Sequence, residues 1–499
     1  MLSKIKGKTL AYISLVVYII SCLPVIYVGF FNYATGDDLL YGATVKNAIA
    51  NHIGFREMMK QVWDSIVTEY NGFQGTWASM IIWRFEPSIW GEELYYITIF
   101  IALFMLNFGV FYFYNEVLVK MLKMDIHSLI IAGCWSLFYI IQFMIYPRGG
   151  LYWYTGMMQY TFAFGVCLIV FVFAIKYLNG SKKTHFVSMV LLMFYLGGSG
   201  YPEIVMSVVG FAYIIGWGLL SKDSAKIKRA KLLIIPFIFD LISFAINAMA
   251  PGNAARGGED YGFSAYRVYE VFYKCFKEGT LDLFRYFINV RSLVLLPICI
   301  FAIAYASNTT LKLKVRHLVI TGILGWFLVC MTRSAEYYAG DTVAAGISGG
   351  VYDSYYYISI LYIVIMCAMI GLFASAHKKS EALSQKAVGI ATIVTLLFCL
   401  LLNRHLIGNM LDYTIYDYVS TGQARDYKAQ MNQRFELLSY PNELDVVLPY
   451  INEYQGPLMH MPVNENVDGY TNSVTAKFYG KRTVTGIPRP EWEELYGDK

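Results

Sequence analysis

Charge is scarce in this chain. Only 15% of its 499 residues are Asp, Glu, Lys or Arg, against about 25% in a typical soluble domain. An ordinary water-soluble fold is thereby excluded. No long basic, acidic or low-complexity tract is present, so no nucleic-acid partner is expected. The eight cysteines, at 22, 134, 167, 275, 299, 330, 367 and 399, never fall close together. A disulfide framework, a redox pair and a cysteine metal site are therefore not expected. No small-residue cleavage site follows the first apolar run, which reads as a retained helix. Mid-span polar residues are few, Asn107, Asp240 and Asn247 being the notable ones, and no internal repeat is visible.

Apolar residues are abundant, at 57%, and 17% of the chain is aromatic. Apolar runs long enough to cross a bilayer recur along most of the sequence. The expected fold is an all-α polytopic membrane protein with about 11 transmembrane helices. The spans are read at Tyr12 to Phe31, Leu94 to Tyr114, Ile126 to Tyr146, Met157 to Ile175, and a short one from Phe186 to Leu196. The sixth opens at Pro202. The others are Leu232 to Met249, Ser292 to Ala306, Leu318 to Met331, Tyr355 to Ser375, and Val388 to Leu402. Residues 1–403 form the membrane domain and 404–499 a hydrophilic C-terminal region.

Lys and Arg set the orientation. With the N-terminus inside, the inside segments hold about 19 of them. The short outside loops hold one each, at Arg148 and Arg333. The expected topology places the N-terminus in the cytoplasm and the C-terminal region outside. Residues 32–92 are then a long outer loop. In it Met59, Val62, Trp63, Ile66, Val67 and Tyr70 recur at helical spacing, as in a helix lying in the membrane interface. A short helix from Thr76 to Trp83 follows. A second interfacial helix is expected in the loop that reaches Val290. In the C-terminal region Ala424, Tyr427, Met431, Phe435 and Leu438 mark a helix, while Val446 to Leu448 and Leu458 to Met461 read as strands, giving a small α/β extension.

Just beyond the first span lie Gly36, Asp37 and Asp38. A helix cap needs one carboxylate, and two at a membrane boundary are costly unless something uses them. The same topology gathers Arg84, Arg148, Glu203, Asn253, Arg256, Arg333 and Glu336 on the outer face, with the aromatics Tyr41, Trp77, Trp153, Tyr154 and Tyr201. Each has a plainer reading. Arg148 suits headgroups, Arg84 suits an ion pair with Glu86, Glu203 suits a helix N-terminus, and Pro251 to Asn253 suit a turn. Carboxylates, arginines and aromatics on one face suit an anionic, partly apolar ligand. Glycosyl transfer from a lipid phosphate would use them. A carboxylate takes the acceptor's proton and arginines stabilise the leaving phosphate.

The segments GDDLLYG, GTWASM, LYWYTG, YPE, PGNAARG and TNSVTAKFYG are spread over most of the chain. With the long first outer loop, they resemble the GT-C superfamily of polyprenyl-phosphate-sugar-dependent glycosyltransferases. More closely, they are similar to bacterial membrane proteins related to the O-antigen glucosyltransferases. The resemblance implies a GT-C-like fold, an undecaprenyl-phosphate-linked sugar donor, inversion at the anomeric carbon, and Asp37 or Asp38 as base. Relatives carry an arginine near the position of GTWASM, where this chain has none, so Arg84 is the nearest substitute.

The expected function is that of a GT-C-type hexosyltransferase of a bacterial plasma membrane, with a cell-surface glycan or glycolipid as acceptor and membrane lipids around it. The candidate residues are Asp37, Asp38 and Glu203 for catalysis. Arg148, Arg256, Arg333 and Arg84 are candidates for the donor phosphate. Tyr41, Trp77, Trp153, Tyr154, Tyr201 and Asn253 are candidates for sugar or acceptor contacts. No cofactor is expected, although Asp37 with Asp38 could hold a divalent cation given further ligands. The rival functions are a lipid-linked saccharide transporter or flippase and a non-catalytic membrane scaffold.

Overall fold

The computed structural model describes residues 7–180, 183–257, 264–288, 311, 313–339, 349–376 and 407–497. The chain is mostly helical, with a single pair of short strands among the described residues. Among the described residues, six helices are long and apolar enough to cross a membrane. These are α1 (Gly7–Gly29), α5 (Glu92–Met121), α7 (Tyr154–Leu178), α9 (Tyr201–Leu219), α10 (Ser224–Ala248) and α15 (Gly349–Ala376). The third, fifth and ninth expected spans are apolar helices of 10–17 residues: α6 (Ile126–Gln142), α8 (Lys183–Gly197) and α13 (Val315–Met331). The eighth and eleventh expected spans lie outside the described residues.

Helix α1 shows how the bundle forms. It has no charged residue beyond Lys8. Tyr18, Val25 and Val28 are buried, and Ile13, Ile19, Ile20 and Leu23 are exposed. In water that exposed face would be a liability, whereas against lipid tails it is matched. The buried face packs on α6. Helices α5 and α7 approach closely at two glycines, where a Cβ on Gly109 would stand 3.2 Å from the Gly165 Cα. Small residues at a crossing let two membrane helices approach closely.

The first long loop holds α2 (Asp37–Ala50), α3 (Phe55–Gly72) and α4 (Trp77–Trp83). The apolar stripe expected on α3 is divided. Val62 and Ile66 are buried, while Trp63 and Val67 are exposed. Helix α3 also turns Ser65 and Glu69 inward to bind Arg84. A seven-residue helix, α11 (Pro251–Gly257), follows α10. The loop in which an interfacial helix is expected before Val290 holds α12 (Ala265–Ile288), whose Tyr266, Tyr269, Tyr273 and Phe284 are exposed. A short α14 (Ser334–Ala339) precedes α15.

The C-terminal region contains α16 (Leu411–Ser420), α17 (Gln423–Ser439), β1 (Asp445–Pro449), α18 (Tyr470–Phe478), β2 (Thr483–Ile487) and α19 (Arg489–Tyr496). Strands β1 and β2 pair in parallel, Val446 opposite Val484, with α18 in the crossover between them. Leu458 to Met461 is not a strand, contrary to the sequence reading. Its Met461 N–H donates to the Thr35 hydroxyl instead of to a ladder. The second strand is β2, whose pattern Gly486 interrupts. Leu438, Val446, Leu448, Val463, Ala476 and Val484 make a small core of their own. Tyr418, Tyr427, Val474 and Phe478 join the core of the membrane part. This region is therefore anchored to the bundle by shared apolar burial.

Candidate functional site

Segments far apart in sequence meet at one end of the bundle. They follow the C-terminal ends of α1, α6, α8 and α10. Gly36 turns the chain into α2 with φ +55°, a conformation that favours glycine. Asp37 and Asp38 then occupy the first turn of α2, where the helix dipole favours carboxylates.

The two aspartates diverge. Asp38 is fully buried. One oxygen accepts the Thr155 N–H at 2.9 Å and the Thr155 hydroxyl at 2.6 Å. The other accepts the Tyr95 hydroxyl. Tyr95 in turn accepts the Tyr154 N–H at 2.9 Å. Burial pushes the Asp38 carboxyl up to about 6, against the pull of the Thr155 and Tyr95 hydrogen bonds. Asp38 thus brackets α2, α5 and α7 together. Both its oxygens are taken, so it does not share an open face with Asp37.

Asp37 is half-buried and lies at the surface of this junction. One oxygen accepts the hydroxyl of Tyr470, from α18 of the C-terminal region. Its other oxygen takes no hydrogen bond among the described residues. Burial raises its carboxyl above the usual range, while Tyr470 and the nearby Arg256 guanidinium oppose that rise. Arg256, on α11, is exposed, donates to the Gln74 side chain at 3.1 Å, and stands 5.0 Å over the Phe73 ring. The Gln74 amide donates to the Tyr41 hydroxyl at 3.3 Å. Tyr41 packs 4.7 Å from Trp83. Asp37, Arg256, Gln74, Tyr41 and Tyr470 therefore form one polar cluster.

The other expected residues are placed as follows. Arg84 is 1% exposed and donates to Glu69 at 2.6 Å and to Ser65 at 3.1 Å. Its partner is Glu69 and not Glu86, which is buried and bonded to the Ser88 N–H and hydroxyl. Arg333 is buried, donates to Asp282 at 2.9 Å and to the Val329 carbonyl at 2.7 Å, and lies over Tyr355. Arg84 and Arg333 are thus committed to protein carboxylates, and neither presents an open face to a phosphate. Arg148 is exposed and donates twice to the Gly456 carbonyl, holding the C-terminal region. Glu203 is buried and accepts the Ser354 hydroxyl.

Asn253 is a joint. It accepts the Gly75 N–H at 2.9 Å and the Tyr201 hydroxyl at 3.4 Å, and donates to the Asn247 carbonyl at 2.7 Å. Trp77 packs 5.1 Å from Phe194 and against Gly198, where a Cβ would sit 2.6 Å from its ring. The Ala78 N–H donates to the Gly198 carbonyl. Tyr154 is buried, and Trp153 packs on Gly156. All these residues lie in the joints that hold the loops in place.

Sequence reasoning missed Tyr95, Thr155, Gln74 and Tyr470. Thr155 and Tyr470 lie in or beside two of the quoted segments, but nothing local marks them as partners of Asp38 and Asp37. No family model matches the chain, and no curated protein does so significantly. The geometry of this junction and the sequence motifs are accordingly what any functional reading rests on.

Proposed function

We propose that the chain is a membrane glycosyltransferase of GT-C type. It would transfer a sugar from a polyprenyl-phosphate donor to a cell-surface glycan or glycolipid, on the outer face of a bacterial plasma membrane. One observation carries the reading: Asp37 keeps a carboxylate oxygen free of hydrogen bonds among the described residues, beside an exposed arginine, at the end of a bundle of apolar helices.

In the proposed reaction the acceptor hydroxyl attacks the anomeric carbon and Asp37 takes its proton. The bond from the anomeric carbon to the phosphate oxygen breaks, and its electron pair leaves with the lipid phosphate. Arg256 faces that developing charge with a fork of donors suited to phosphate. Attack and departure on opposite faces invert the anomeric centre. Asp38 holds α2 in register and does not touch the substrates. The isoprenoid chain stays among the exposed apolar helix faces. The test is transfer from a set of radiolabelled undecaprenyl-phosphate sugars by purified protein to envelope acceptor. Incorporation from one donor supports the reading, and none from any donor overturns it.

A second reading is a lipid-linked saccharide transporter. The observation favouring it is Asp240, fully buried within α10 and bonded to Ser207 of α9 at 2.8 Å. Ionisable groups inside membrane helices commonly mark transport paths. Movement of labelled donor across reconstituted vesicles, without transfer, would select it.

A further inference from the structure

We infer that Tyr470, from the C-terminal region, is a positioning residue whose hydroxyl, donated to one oxygen of Asp37, keeps that carboxylate ionised. The kinetic part of this inference rests on the proposed transfer reaction; the contact itself does not.

Helix α18 packs along α2. Asn47 donates to the Lys477 carbonyl at 2.9 Å, and the Met461 N–H donates to Thr35 at 2.9 Å. Gly42 of α2 lies so close to Phe478 that a Cβ would come within 3.1 Å of its ring. The start of α18 is braced from its other side. Asn472 donates to the carbonyls of Asn464 and Asn466 at 2.7 and 2.8 Å, and accepts the Asn464 N–H at 3.0 Å. These bonds close residues 464–472 into a tight loop whose end carries Tyr470. The hydroxyl reaches Asp37 from a braced mount, while Tyr470 stays 49% exposed and Asp37 half-buried.

The hydroxyl meets one oxygen of Asp37 and leaves the other for an incoming hydroxyl. A donated hydrogen bond stabilises the charged form of a carboxylate. The charged and titratable groups facing Asp37 are Tyr470 from α18, Arg256 from α11, Glu69 from α3, and Tyr41 and Asp38 from α2 itself. Of these, only Tyr470 makes a direct hydrogen bond to it among the described residues.

The experiment is Y470F in the full-length protein in detergent, read in two ways. The first is the pH profile of kcat/KM for sugar transfer. A base must be ionised, so the rate rises as pH rises through its pKa. Removing the donor moves that limb to higher pH by about one unit, roughly a tenfold loss on the acid side with an unchanged plateau. The second is carbodiimide labelling of Asp37 against pH, followed by peptide mass spectrometry, with D37N as the blank for Asp38. Labelling needs the protonated carboxyl, so its midpoint also moves up in Y470F.

A uniform loss of rate with both midpoints unmoved would overturn the inference, leaving Tyr470 as packing alone. If the wild type transfers no sugar, the labelling arm still decides. A shifted midpoint then supports the hold on Asp37 and refutes only the reaction, and an unshifted one refutes both.

Discussion

Replacing Asp37 and Asp38 with Asn, one at a time, separates chemistry from architecture. Asp37 has one oxygen with no hydrogen bond among the described residues, and an amide there accepts the Tyr470 hydroxyl but cannot take a proton from an acceptor. D37N is expected to lose transfer by about 10²–10⁴-fold, the usual worth of a general base, with little change in stability. At Asp38 an Asn oxygen still accepts both Thr155 donors. Its amide then faces the Tyr95 hydroxyl, which already accepts the Tyr154 N–H, so the phenol O–H loses its acceptor. Against that, the burial that pushes Asp38 up to about 6 makes its ionised form costly, by about 3 kcal/mol relative to an unperturbed aspartate. A neutral isostere is relieved of that cost at pH 8. D38N is thus expected to fold and to keep activity within about tenfold. D38A strands three buried donors, at about 1–3 kcal/mol each, and is expected to be strongly destabilised. The assays are initial-rate transfer at pH 8 and thermal unfolding in detergent. An inactive, well-folded D38N beside an active D37N would refute this division of roles.

Two further outcomes follow from the same geometry. Burial pushes Glu86 up to about 8, and a carboxyl raised on folding contributes stability that is present below about 4.5 and lost as pH rises through its folded value. The unfolding temperature should therefore fall between pH 6 and pH 9, E86Q should flatten that slope, and a rising slope would contradict the burial argument. At Gly36 a Cβ would meet a positive φ and the Met461 sulfur at 2.0 Å. G36A should cost at least about 1 kcal/mol and make residues 458–470 more sensitive to limited proteolysis, and an unchanged digestion pattern would refute the contact.

The helices around the site were legible because their signal is local. Hydropathy over some twenty residues located α1, α5, α9, α10 and α15, and helical spacing located α3 and α17. The Gly-Asp-Asp turn stood out because its two charges break an apolar stretch. The partner of Arg84 was misread because Glu86 is its neighbour in sequence, whereas Glu69 is its neighbour in space. Leu458 to Met461 was misread because a short apolar run is equally consistent with a strand and with a strap against Thr35.

The sequence by itself determined that this is a membrane-embedded helical protein with a carboxylate pair beyond its first helix. Only the tertiary structure decided which carboxylate is open. Asp38 is closed by Thr155, 117 positions away, and Asp37 is met by Tyr470, 433 positions away. Apolar burial depends on each residue's own side chain and can be summed along the chain. A hydrogen bond depends on two groups reaching the same few ångströms, and where they meet is set by the packing of every helix between them.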